Sequence, residues 1–249
     1  MTDDLGDEVA VPATVSRIVS LVPSLTESVA ATLPAALVGA TDWCTHPAGL
    51  GVTRVRGTKN PDLPTIEALN PDVVLANFEE NRAQDIEALR AAGIPVWVTM
   101  IRTVEESFTS LARMFETACR TGSPAWLEEA REAWRRPPVP AGERRTAIIP
   151  IWRRPWMVVG SDTFAGDLLA RLGVDNLYAA HPERYPKIPL PELREASPDL
   201  VVLPDEPYAF GPDDGPESFP GIPAVCVSGR LLTWYGPSLR EAATLDLRV

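Results

Sequence analysis

One pattern occurs twice in this chain and limits the architectures open to it more than any other feature. Residues 63–75 read Leu-Pro-Thr-Ile-Glu-Ala-Leu-Asn-Pro-Asp-Val-Val-Leu, and residues 190–202 read Leu-Pro-Glu-Leu-Arg-Glu-Ala-Ser-Pro-Asp-Leu-Val-Val. The offset of 127 pairs Asp72 with Asp199 and Glu79 with Glu206. Further on it becomes 128, pairing Gly93-Ile94-Pro95 with Gly221-Ile222-Pro223 and Arg102 with Arg230. Each copy reads as a short helix, a Pro-Asp turn, an apolar strand, a loop carrying a glutamate, and Gly-Ile-Pro leading into another strand. Proline is disfavoured inside a helix, so the Pro-Asp pair marks the helix-to-strand step. A supersecondary unit repeated at long period implies two related lobes. The alternation of helix and β-branched strand makes their sheets mostly parallel, an α/β fold.

The expected division is a loose acidic tail over 1–14, an N-terminal α/β lobe over 15–122, a bridging helix and linker over 123–143, and a C-terminal α/β lobe over 144–249. Ile18–Val22 reads as the first buried strand, and Ser24 or Thr26 with Glu27 fits a capping box for the next helix. Residues 104–118 and 124–136 carry helical periodicity. The second stretch starts at Ser123-Pro124, a favourable cap with proline at the first helical position, and stops before Pro137-Pro138. The lobes are thus joined by a long helix.

A formal charge of −11 and a pI near 4.7 argue against a nucleic-acid groove or an anionic membrane surface. Three cysteines, Cys44, Cys119 and Cys226, are an odd number without metal-ligand spacing, so no disulfide framework is expected; Cys119 and Cys226 sit in apolar segments and read as core. No segment approaches the ~18 apolar residues of a membrane span. The acidic start Met-Thr-Asp-Asp-Leu-Gly-Asp-Glu does not resemble a secretory signal, which makes the expected location cytoplasmic, or periplasmic or extracellular if a signal has been removed.

Arg17–Glu27 (Arg-Ile-Val-Ser-Leu-Val-Pro-Ser-Leu-Thr-Glu), Gly57-Thr58-Lys59-Asn60-Pro61, Ala68–Leu75 and Gly93-Ile94-Pro95 together resemble the helical-backbone (class III) substrate-binding proteins, receptors for vitamin B12, haem and iron–siderophores serving ABC importers. The similarity runs from about residue 16 to 240. It implies two lobes joined by a rigid helix, with a small molecule held between them at the C-terminal ends of the strands, the usual ligand position in open α/β sheets. The implied function is non-catalytic binding of a corrinoid, haem or chelated-iron compound, with no cofactor required. The alternatives are an importer component and an enzyme modifying such a ligand through Glu79, Glu206 or His46. Receptors of this kind carry a docking glutamate before each Pro-Asp turn. Pro64 and Pro191 hold those positions here, with Glu67 and Glu192 nearby, which argues against an ABC permease as partner.

Loops after expected strands supply the candidate ligand-binding residues: Trp43, His46, Thr58, Lys59, Asn60, Glu79, Arg82, Arg102, Trp152, Arg153, Glu206, Tyr208, Arg230, Trp234 and Tyr235. Flat aromatic faces with scattered donors suit a large planar ligand. Arg153-Arg154 has the geometry to hold a carboxylate. The run Asp42-Trp43-Cys44-Thr45-His46 contains three metal-ligand types, yet one short loop cannot close a site alone. No protein metal site is expected, and His46 is a candidate axial ligand to a bound macrocycle. No Gly-x-Ser-x-Gly, P-loop, Gly-x-Gly-x-x-Gly or His-Glu-x-x-His motif occurs, so no catalytic residue is expected.

Overall fold

The computed structural model describes residues 1–248 and divides into two α/β units. The first comprises Met1–Ile101, Glu105–Ala130 and Tyr235–Pro237; the second comprises Arg102–Val104, Arg131–Trp234 and the chain from Ser238.

The strands of the first unit are β1 (Ile18–Ser20), β2 (Leu37–Ala40), β3 (Thr53–Arg54), β4 (Arg56–Gly57), β5 (Asn60–Pro61), β6 (Val73–Asn77) and β7 (Val96–Thr99). Five of them form a parallel sheet ordered β3-β2-β1-β6-β7, while β4 and β5 make a short antiparallel hairpin. Helices α1 (Pro23–Thr32), α2 (Leu63–Ala68), α3 (Ala83–Ala91) and α4 (Val104–Arg113, continued by a π-helical turn over Met114–Ala118) follow the chain between and after these strands. The central strands β1 and β6 are buried along their whole length, as parallel strands covered on both faces must be. Val19, Val74 and Val98 pack with Ile66 and Leu89 in this unit's core.

The second unit contains β8 (Arg145–Ile148), the antiparallel hairpin β9 (Pro150–Arg153) and β10 (Trp156–Val158), β11 (Val174–Asn176), β12 (Leu200–Pro204) and β13 (Ala224–Val227). Its sheet runs β11-β8-β12-β13, all parallel. Helix α5 (Ala125–Ala133) precedes it, and α6 (Phe164–Arg171), α7 (Leu190–Glu195), α8 (Gly229–Thr233) and α9 (Leu239–Ala242) belong to it. Ile148, Leu193, Val201, Leu203 and Phe219 share its core.

The sequence repeat is a structural repeat. Helix α2 and strand β6 recur as α7 and β12 at the offset of 127, and β7 recurs as β13 at 128. Backbone conformation repeats as well: Asn70 and Ser197 have φ of 44° and 49°, and Gly93 and Gly221 both have φ of 80°. The Pro-Asp turns owe their form to a hydrogen-bond role. Asp72 Oδ2 accepts from the Ser16 and Arg17 amides (2.7 and 2.9 Å), and Asp199 Oδ2 accepts from the amide and hydroxyl of Thr146 (both 2.7 Å). Each aspartate thus fastens the start of a neighbouring strand. Partial burial alone would raise the Asp72 carboxyl, but the bonds from Ser16 and Arg17 hold it below its ordinary value. A depressed carboxyl stabilises fully above the ordinary aspartate range, and that contribution fades as pH falls through the depressed value. Asp72→Asn is expected to cost about 1–2 kcal/mol at neutral pH, as charge-assisted bonds do. It should also flatten the acid limb of the stability curve. Urea denaturation at pH 7 and near pH 3 checks both, and equal losses at the two pH values would contradict the assignment.

Several local expectations are corrected. Residues 1–14 are not a loose tail: Asp3, Val9 and Val11 are buried, and Asp3 binds Arg90 while Asp4 binds the edge of β7, because aspartates close to a strand edge can satisfy its open amides. Helix α1 starts at Pro23 with Val22 at its cap position, so Ser24, Thr26 and Glu27 lie inside the helix as buried residues instead of forming a capping box. Helix α5 ends at Ala133, three residues short of the expected stop, since Pro137-Pro138 withdraws the amides a longer helix needs. The division between the two units falls within this helix, after Ala130. Cys119 is buried, and burial pushes its thiol up to about 12. Cys226 is exposed because β13 is an edge strand. No helix among the described residues is long and apolar enough to cross a membrane.

Candidate functional site

In the first unit, the C-terminal ends of β1, β6 and β7 and the β4–β5 hairpin are fixed to one another by two asparagines. Asn77, the last residue of β6, donates to the carbonyl and hydroxyl of Thr99 at the end of β7 (3.0 and 3.1 Å). Its Oδ1 receives the amides of Glu79 and Glu80 (2.9 and 3.3 Å), turning the chain away from the sheet. Asn81 is buried. Its Oδ1 accepts from the Asn77 amide (2.9 Å), and its Nδ2 donates to the carbonyls of Leu21 beyond β1 (3.3 Å) and Thr58 in the β4–β5 hairpin (3.0 Å). Lys59 Nζ donates to the Glu79 carbonyl. Thr58, Lys59, Glu79, Glu80 and Asn81 are therefore brought together. Burial pushes the Glu80 carboxyl up, with nearby Lys59 opposing the shift and Glu79 adding to it.

The loop after β2 is built from beneath. Arg54 donates to the carbonyls of Thr41 and Cys44 (2.8 and 2.9 Å), and the Cys44 thiol lies between the hydroxyls of Thr26 and Thr41 (3.0 and 3.1 Å). With Cys44 directed inward, Trp43 is turned out and remains 67% exposed. Beside it a cavity of about 440 Å³ is lined by Asp42, Trp43, Arg56, Gly57 and Asn60. A Cβ at Gly57 would lie 2.4 Å from Asn60 Oδ1 and 3.3 Å from Trp43 Nε1, so a larger residue would have to displace the Asn60 side chain. His46 is exposed, its Nδ1 3.2 Å from Thr45 Oγ1. Among the described residues no group of three or more His, Cys, Asp or Glu side chains is placed to hold a metal ion. Arg82 lies at the edge of this region and pairs with Asp85 (2.9 Å).

In the second unit, the hairpin that follows β8 presents Trp152, which is 42% exposed and packs edge-on against Tyr208 at 5.6 Å. Arg153 is not open to a ligand carboxylate. It pairs with Asp214 and Glu217 of the loop between β12 and β13, and its guanidinium stands 5.7 Å over the Trp156 ring. Trp156 stacks on Phe210 (5.9 Å) and meets Phe219 edge-on (5.4 Å), so it seals the loop base. Arg102 pairs with Asp162 (3.2 Å) and Arg230 with Glu241 (3.3 Å), each within its own unit. Glu206 is half-buried against Gly229, where a Cβ would lie 2.2 Å from Glu206 Cγ. Trp234 and Tyr235 follow helix α8 and are each only 7% exposed.

Sequence reasoning missed Phe78, 51% exposed directly after β6, and the structural roles of Asn77 and Asn81. A large apolar residue between a strand and a polar Glu-Glu-Asn run was the available signal for Phe78. The partners of Arg153 lie more than sixty residues away and left no local sign.

Known proteins resemble this chain in sequence and in fold. The vitamin B12-binding protein of Pectobacterium carotovorum subsp. carotovorum is 23% identical over 240 residues, covering 91% of this chain and 85% of that protein. Two solved structures share the fold. The periplasmic vitamin B12 binding protein of Vibrio cholerae gives a TM-score of 0.74 at 17% identity, covering 92% of this chain and 94% of that one. A periplasmic heme binding protein from Pseudomonas aeruginosa gives 0.75 at 21% identity, covering 92% and 90%. Both are periplasmic by description, and the cytoplasmic location expected from the acidic start finds no support among them. The family model described as periplasmic binding protein matches residues 18–214, and the chain belongs to that family.

Proposed function

We propose that this chain is a non-catalytic receptor for a corrinoid, haem or chelated-iron compound, docked by its flat face on aromatic side chains at the strand ends. The observation that carries this reading is Trp43: an indole two-thirds exposed, at the mouth of a 440 Å³ cavity, on a loop braced by Arg54 and Cys44. Exposing a large aromatic on a rigid loop costs hydration unless a partner covers it, and conjugated rings are its natural partners. Phe78 offers a second exposed ring in the same unit. Relatives named for vitamin B12 and heme support the ligand class, and their description as binding proteins supports occupancy without turnover.

Titration with hydroxocobalamin, haemin and a ferric siderophore, followed by tryptophan fluorescence and calorimetry, is expected to give saturable binding of one at micromolar affinity or tighter, about −8 kcal/mol. Trp43→Ala should then weaken binding by about 1.5–3 kcal/mol, the loss typical of a buried aromatic anchor. Absence of saturable binding to all three would sink the proposal. Recovery of chemically altered ligand would favour the enzyme reading instead.

Family membership favours a location outside the cytoplasm and handover to an ABC permease. The docking carboxylates such a partner needs are not matched between the units: the repeat pairs Glu67 with Arg194 and Glu192 with Thr65, and the exposed Pro64 and Pro191 cannot serve.

A further inference from the structure

Arg153 and Trp152 are neighbours in β9, so their side chains leave the strand on opposite faces, and they meet the same distant loop by different routes. On one side Trp152 rests edge-on against Tyr208 at 5.6 Å. On the other, Arg153 grips Asp214, Glu217 and the hydroxyl of Ser218 (3.2 Å). The two routes are joined, because the Tyr208 hydroxyl donates to Asp214 Oδ2 at 2.8 Å while Arg153 holds the other oxygen of that carboxylate. Glu217 is itself held by the Gly215 amide at 2.5 Å. The Arg153 side chain is mostly covered, at 18% exposure, and its guanidinium lies over Trp156, whose ring packs against Phe210 and Phe219. Such a group is committed to the protein's own carboxylates and orders the loop that backs the Trp152 ring.

We propose that Arg153 is a positioning residue that, through Asp214 and Tyr208, holds the exposed indole of Trp152 as a rigid shelf for the flat face of a conjugated ligand. This rests on the receptor reading above and adds which residue organises the Trp152 contact surface. Pre-ordering a contact side chain improves affinity by removing the entropy cost of ordering it on binding.

The test has two arms that fail separately. In the ligand-free protein labelled with 5-fluorotryptophan, the Trp152 signal, assigned from Trp152→Phe, is expected to be single and sharp by 19F NMR. It should broaden or move toward the solvent-exposed position in Arg153→Ala, and less so in Tyr208→Phe, which removes one hydroxyl and keeps the ring. An unchanged signal in both variants overturns the lock. In the second arm the probes are hydroxocobalamin and haemin. Arg153→Ala should raise Kd about tenfold in the wild-type background and less than about twofold in the Trp152→Ala background. An equal rise in both backgrounds overturns the proposal, since Arg153 would then act without Trp152. Wild-type protein that binds neither probe overturns the shelf's purpose, and the receptor reading falls with it when a ferric siderophore also fails to bind, while the NMR arm still decides whether the lock exists.

Discussion

Asn81→Ala is expected to lower the unfolding free energy by about 2–4 kcal/mol and to disorganise the first unit's strand-end loops together. The side chain is buried and serves three backbone groups: it accepts from the Asn77 amide and donates to the carbonyls of Leu21 and Thr58. Alanine leaves the Asn77 amide without its acceptor inside the protein and frees the β4–β5 hairpin from the end of β6. Because unsatisfied buried groups carry their full desolvation cost, the loss should exceed that of one ordinary hydrogen bond. Amide exchange should accelerate around Thr58 and from Asn77 to Arg82, with the sheet itself still protected. Asn81→Asp keeps the acceptor but sets a buried carboxylate oxygen against the Leu21 and Thr58 carbonyls, so it should cost at least as much as alanine. Urea denaturation with hydrogen exchange reads both quantities; a loss below about 0.5 kcal/mol would mean that the loops hold together without this residue.

Asp3→Ala is expected to cost a similar amount, about 2–4 kcal/mol, from a segment that reads as a disposable tail. The Asp3 carboxylate is fully buried. One oxygen accepts from the amides of Leu5 and Asp7 (2.9 and 3.0 Å), the other from Arg90 (2.8 Å) and the Val98 amide (3.3 Å). Asp4 continues the contact, taking the Met100 amide (2.9 Å) and pairing with Arg113, while its own amide donates to the Val98 carbonyl (3.1 Å). These residues cover the open edge of β7. Deleting the first eight residues should therefore destabilise the protein at least as much as Asp3→Ala and promote concentration-dependent association through the exposed strand, which light scattering will detect. A truncated protein of unchanged stability that stays monomeric would return the segment to the status of a tail.

The two-unit α/β architecture was legible because it depends on local signals that the repeat states twice. Apolar runs at Val73–Asn77 and Leu200–Pro204, each preceded by Pro-Asp, became the central strands β6 and β12, since a strand covered on both faces must be apolar throughout. Placement after strands also put Trp43, Thr58, Lys59 and Glu79 near strand ends, because loops at strand ends follow from strand positions alone. What failed was pairing. Trp234 and Tyr235 have the look of loop aromatics, but they follow helix α8 and are buried. Arg153 reads as a carboxylate binder, and it is one, for the protein's own Asp214 and Glu217. The acidic start reads as solvated, yet Arg90 and the edge of β7 are waiting for it 80 to 100 residues away.

The division has a physical basis. Backbone periodicity, proline placement and repeat spacing act over a few residues, so the chain by itself determined the elements, their order and the duplication. Whether a charge or a ring faces a ligand or a neighbour depends on which side chains long-range packing brings within about 4–6 Å, where ion pairs and aromatic contacts acquire their energy, and that was decided only by the tertiary structure.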